Sequence, residues 1–135
     1  MGERLKQRGV KPDIILSSPA QRAKSTAKKI AKKLGSESKL IFDEHLYDAD
    51  LSSRHLRLQS LAKKVDTAFL IGHNPELNML AEYYVDFDEN IPTCGIVEIE
   101  FDVKVWKSIS KEKAKFISFD FPKKLYTVKL SELNV

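Results

Sequence analysis

The chain has 135 residues, 42% of them hydrophobic and 31% charged, with a formal net charge of +4 and a single cysteine, Cys94. Residues 1–135 are expected to form one domain with room for a core, and the composition is that of an ordinary soluble globular protein. One cysteine excludes an internal disulfide, no apolar run approaches the ~20 residues of a membrane span, and the opening residues carry no signal-peptide core, so the cytoplasm is the expected location.

In chain order, residues 1–7 read as the last turns of a helix ended near Gly9, with nothing to cap its start. Lys6 stands where a myristoylation signal needs Ser or Thr. An apolar strand is predicted over 13–16, then a helix over 19–34 closed by Gly35. Residues 40–42 form a short strand, 43–50 a mixed loop, and 52–64 a helix with Leu56, Leu58, Leu61, Ala62 and Val65 on its apolar side. A second apolar strand over 68–71 leads into a helix over 75–84, and 85–93 is an acidic loop. Alternating residues over 95–103 and 113–121, with Trp106 near the turn, read as an antiparallel hairpin on an otherwise parallel sheet.

The basic charge is concentrated in the helix over 19–34. Lys24, Lys28, Lys29, Lys32 and Lys33 stand opposite the apolar stripe Ala23, Ala27, Ile30, Ala31 and Leu34. That is the pattern of a solvated helix face, the alternative being a docking surface for an acidic partner. No aromatic residues interleave with the lysines, which argues against nucleic acid. Neither nucleic acid nor membrane is therefore an expected partner.

Two crossings follow one grammar. Residues 13–23 and 68–77 each run from an apolar burst, through a small polar residue and proline, into a helix. Ser18 and Asn74 are preferred N-cap residues, and Pro19 and Pro75 suit the first helical position. Each crossing delivers polar side chains and free backbone N–H groups to the carboxyl end of a buried parallel strand. That is where open α/β sheets bind ligands and where helix N-termini favour anions. One crossing carries Arg22 and the other His73, a combination that points to phosphate chemistry.

The segment Ser17-Ser18-Pro19-Ala20-Gln21-Arg22-Ala23, with Thr26-Ala27 one turn later, resembles the SSPxxRAxxTA segment of the histidine phosphatase superfamily, the phosphoglycerate mutase-like fold. Ile71-Gly72-His73-Asn74-Pro75 resembles its second histidine motif. Together with Ile91-Pro92-Thr93 and Phe121-Pro122-Lys123, the form is most similar to the phosphohistidine phosphatases of the SixA type.

The resemblance implies a three-layer α/β/α fold with a mostly parallel sheet and a C-terminal antiparallel hairpin. It implies that Arg22 binds phosphoryl oxygens, with Ser18 and Asn74 in the same phosphate-binding crevice. His73 would stabilise charge in the transition state, and no metal or cofactor is required. The complete enzyme would remove a phosphoryl group from phosphohistidine on a protein through a covalent phosphohistidine intermediate. A non-catalytic phosphate- or phosphopeptide-binding module, or a phosphatase for a small phosphate ester, are the rival readings.

The family's nucleophile is a histidine in an Arg-His-Gly or Arg-His-Ala motif on a first strand inside the sheet, and that strand and motif are absent from this sequence. The chain is therefore expected to be N-terminally truncated, with two unpaired sheet edges. Arg54-His55 is no substitute, because Leu56 follows it and no apolar strand precedes it; it reads as a surface helical pair. His45 fits no metal-ligand spacing. Glu44, Asp48 and Glu76 are candidate general acids. Cys94 reads as a small packed residue, and Tyr83, Tyr84 and Trp106 as cover for the core.

Overall fold

The computed structural model describes residues 2–47, 50–92 and 94–121. Helix α1 spans Gly2–Gln7, strand β1 Ile14–Ser17, helix α2 Gln21–Leu34 and strand β2 Leu40–Phe42. Helix α3 (Leu51–Gln59), strand β3 (Ala68–Ile71) and helix α4 (Glu76–Val85) follow, then strands β4 (Ile96–Phe101) and β5 (Ala114–Asp120). The parallel sheet has the order β2-β1-β3, with Leu16 opposite Ile41 on one side and Leu70 on the other.

β1 is central and sandwiched. Ile15 and Leu16 are both wholly buried, and alternation sends them to opposite faces. Leu16 joins Leu58, Leu61, Leu80 and Tyr84 in the main core, whereas α2 covers the other face through Ala23, Ala27 and Ala31. Small residues there let the helix lie close to the strands while its lysines stay at the surface. Gly35, in the left-handed region at φ 65°, ends α2 by donating back to the carbonyls of Ala31 and Lys32.

The antiparallel hairpin forms as the sequence suggested, but among the described residues no strand pairing joins it to the parallel sheet. β4 and β5 form a separate antiparallel pair, with a register shift at Glu98/Ile99. Among the described residues β3 has β1 as its only strand partner and β4 has β5. The two sheets are joined by packing and by side chains instead. Ile99 and Phe101 lie against the core that holds Leu70, the Trp106 indole donates to the Val65 carbonyl at 2.6 Å, and Arg4 of α1 reaches Asp120 at 2.7 Å.

Several local expectations are corrected. α3 stops at Gln59, not Lys64: the Ser60 hydroxyl donates to the Arg57 carbonyl at 2.6 Å, and tighter turns at Leu61 and Val65 then drop both side chains into the core. Leu56 faces solvent, 63% exposed. Tyr84 is a core residue and the partly buried Trp106 packs against that core, but Tyr83 is exposed. Cys94 is exposed rather than packed, in a left-handed conformation at φ 61°. Next to it, a Cβ on Gly95 would lie 2.8 Å from Ile91 Cγ2, so only glycine fits.

Candidate active site

β1 and β3 run side by side, with Ser17 opposite Ile71, and the Ser18 N–H donates to the Ile71 carbonyl at 3.0 Å. The two crossings therefore leave adjacent strands at one carboxyl edge. β2 ends at the same edge, its successor Asp43 donating from N–H to the Ser17 carbonyl at 3.0 Å.

At the first junction the backbone is locked. Ser17 and Ser18 are 0% and 1% exposed, and the Ser18 hydroxyl accepts from the Ala20 N–H at 3.2 Å. Ser18 is thus not the N-cap of α2: pairing with β3 keeps it in the strand register, and Ala20 takes the cap position without a side-chain bond. The first-turn N–H groups of α2 are consequently not used by a side-chain cap. Arg22, the second residue of the helix, is exposed and makes no hydrogen bond or ion pair among the described residues.

The second junction is more open. The His73 side chain is 40% exposed, and its Nε2 lies 3.8 Å from Glu76 Oε2. Pro75, not Asn74, occupies the cap position of α4, yet Asn74 performs the capping bond from one residue further out: its Oδ1 accepts from the Asn78 N–H at 3.1 Å. Its Nδ2 donates to the Ile91 carbonyl at 2.6 Å. Both polar atoms of Asn74 are engaged within the protein, as is the buried Ser18 hydroxyl. Of the four proposed site residues, Arg22 and His73 are the two whose charged or ring groups reach solvent.

Sequence reading missed Asn78 and Asp43. Asn78 donates to the Glu89 carbonyl at 2.6 Å and accepts from the Ile91 N–H at 2.9 Å, tying the acidic loop to α4. An Asn four residues after the first was its only sequence cue. Asp43 accepts from Arg57 Nε at 2.5 Å and from the His45 N–H at 2.9 Å. Burial pushes its carboxyl up, but Arg57 and the His45 donors outweigh that and hold it below the usual carboxylate range.

The other candidates fall away from the two junctions. Arg54 and His55 are helical, as expected, but not on the surface. Arg54 is 4% exposed and donates to the Leu46 carbonyl at 3.3 Å, while His55 Nδ1 lies 2.6 Å from the Tyr84 hydroxyl. Burial pushes the Tyr84 phenol up, with Tyr83 adding to the shift. Arg54 supplies the donor for the buried Leu46 carbonyl. His45 is 94% exposed beside Asp43, and no group of three metal-ligating side chains occurs among the described residues. Glu44 begins a short 3-10 turn, and Asp48 lies outside the described residues. Two surface grooves, one between Ile41, Arg57 and Leu61 and one lined by Asn78, Glu82 and Asp88, include neither Arg22 nor His73.

A family model for the histidine phosphatase superfamily (branch 1) matches residues 1–69. The chain belongs to that superfamily. The matched half includes the Arg22 crossing and stops just before His73. The fold agrees with solved relatives. A protein histidine phosphatase SixA, solved in complex with tungstate, aligns at TM-score 0.77 and 22% identity, over 92% of this chain and 78% of that one. A SixA from Nakamurella multipartitia, described as a proposed phosphohistidine phosphatase, aligns at 0.73 and 13% identity, over 90% and 77%. One so described from Agrobacterium tumefaciens aligns at 0.70 and 22%, over 90% and 75%. No match was found among curated proteins. At these identities the neighbours speak to the fold, which is the phosphoglycerate mutase-like α/β class expected from the sequence.

Proposed function

We propose that this chain holds the phosphoryl group of a protein phosphohistidine, and that the chemistry it serves is removal of that group through a covalent phosphohistidine intermediate. The observation that carries this reading is the adjacency of the two junctions, with Ser17 and Ile71 in register at one sheet edge. An arginine without a partner among the described residues and a half-exposed imidazole leave from neighbouring strands. A transferring phosphoryl group gathers negative charge on its oxygens, so fixed positive donors lower the barrier. Arg22 offers a planar fork matched to two oxygens, and the uncapped first turn of α2 adds N–H groups. Membership of the superfamily supports the same chemistry. So does the likeness to a SixA solved with tungstate, a tetrahedral oxyanion like phosphate.

One observation favours a second reading. The sequence contains three histidines. His45 is paired to Asp43 on an exposed turn, His55 is bonded to Tyr84, and His73 fills the role of the second active-site histidine. None is left for the nucleophile. On that ground the chain would be a phosphate- or phosphopeptide-binding module. Incubation with a phosphohistidine protein separates the two: release of phosphate by this chain excludes the module. Turnover of a small phosphate ester alone would favour the small-molecule substrate. Both readings need the anion site, which a tungstate titration tests. Arg22→Ala should weaken binding at least tenfold, on the order of the 1.5–3 kcal/mol carried by hydrogen bonds to charged groups. Undiminished binding by that variant removes the proposal.

A further inference from the structure

Glu76 holds the one side-chain polar atom among the described residues that is sealed from solvent without a hydrogen-bond partner, its Oε2. A carboxylate oxygen stripped of water and given no donor is costly, and such a group calls for a reason. Within salt-bridge range stands the His73 ring, its Nε2 3.8 Å away and one helical turn back. Glu76 is also the first residue of α4, where the helix dipole favours an acidic side chain. That accounts for a carboxylate, but a solvated one would serve as well, so the dipole does not explain the sealed oxygen.

Resting on the reading of His73 as an oxyanion-binding group, we propose that Glu76 is a positioning residue for His73. Its Oε2 receives the imidazole Nε2–H, which fixes the rotation of the ring and turns its Nδ1 edge to the phosphoryl group, to which it donates when the ring carries both protons. A separation of 3.8 Å exceeds hydrogen-bond length, so the proposed bond requires the ring and the carboxylate to close by about 1 Å. No second carboxylate lies within salt-bridge range of the ring among the described residues, and Arg22 is the cation that the neighbouring junction would bring to the same anion.

The test is tungstate titration of the full chain and of Glu76→Ala, Glu76→Gln and His73→Ala. Glu76→Ala should bind about tenfold more weakly, whereas Glu76→Gln, which keeps an acceptor oxygen for the ring, should bind within about twofold of the parent. Parental binding by Glu76→Ala, with binding lost in His73→Ala, overturns the proposal and leaves the anion site standing. An equal loss in Glu76→Ala and Glu76→Gln overturns it too. Parental binding by His73→Ala removes the reading of His73 and the proposal with it. Nitrogen NMR of the anion-free protein gives an independent arm: the His73 Nε2 signal should move in Glu76→Ala, and an unchanged signal overturns the proposal whether or not tungstate binds.

Discussion

The two crossings share a sequence grammar but are held in place by different means. The first leaves β1, which is paired on both sides and covered on both faces, so its serines are sealed and Arg22 projects from a rigid base. The second leaves β3, which has one strand partner among the described residues and is only half-buried along its length. Its geometry depends on Asn74 and Asn78, which tie the junction and α4 to the carbonyls and N–H of the 89–91 segment. Sheet burial positions the arginine; side-chain hydrogen bonds to a loop position the histidine. The first arrangement should yield only to core mutations, the second to single polar ones.

That contrast can be broken at the strand. Leu16→Ala empties a wholly buried site in the main core and should cost about 2–5 kcal/mol of stability, read from denaturant melts. A cost below 1 kcal/mol, by the same scale, would mean that β1 is not the rigid base. Smaller, and specific to the second junction, is Asn78→Ala. It leaves the Ile91 N–H and the Glu89 carbonyl without their partner and should cost about 1–3 kcal/mol. Hydrogen exchange should quicken at Ile91 while the β1 amides keep their protection. Uniform loss of protection would erase the distinction between the junctions.

The smallest effect is one of pH. The Asp43 carboxyl is depressed in the folded chain, so its contribution is present above the ordinary carboxylate pKa and is lost as pH falls through the folded value. Asp13 is depressed as well, chiefly because it accepts from the Thr67 and then the Asp66 N–H. Asp43→Asn should therefore flatten the acid limb of the stability profile and leave the neutral region flat. An unchanged acid limb would show that the Arg57 contact carries no linkage.

Much of this architecture was legible because its punctuation is local. The strands at Leu40–Phe42 and Ala68–Ile71 fall where apolar runs meet turn residues, and Gly35 ends α2 as a left-handed glycine should. Ser18 and Asn74 both stand ahead of the cap position, but differently: strand pairing still holds the Ser18 N–H to Ile71, whereas Asn74 makes the capping bond to the Asn78 N–H from one residue before Pro75. Arg54 reads as surface because nothing in the helical pattern reveals that its guanidinium turns inward to the Leu46 carbonyl. The placement of Arg22 and His73 after two adjacent strands follows from the two crossings. The sealed oxygen of Glu76 was not legible, because the burial of one atom is set by packing from distant parts of the chain.

The central claim is that Arg22 and His73 serve one anion. A crystal of the full chain grown with tungstate tests it most directly, since the heavy atom locates itself. The account predicts the tungsten at the carboxyl edge of β1 and β3, within hydrogen-bonding reach of both the guanidinium and the imidazole. Tungstate bound by one of them alone, or bound elsewhere on the molecule, would contradict it.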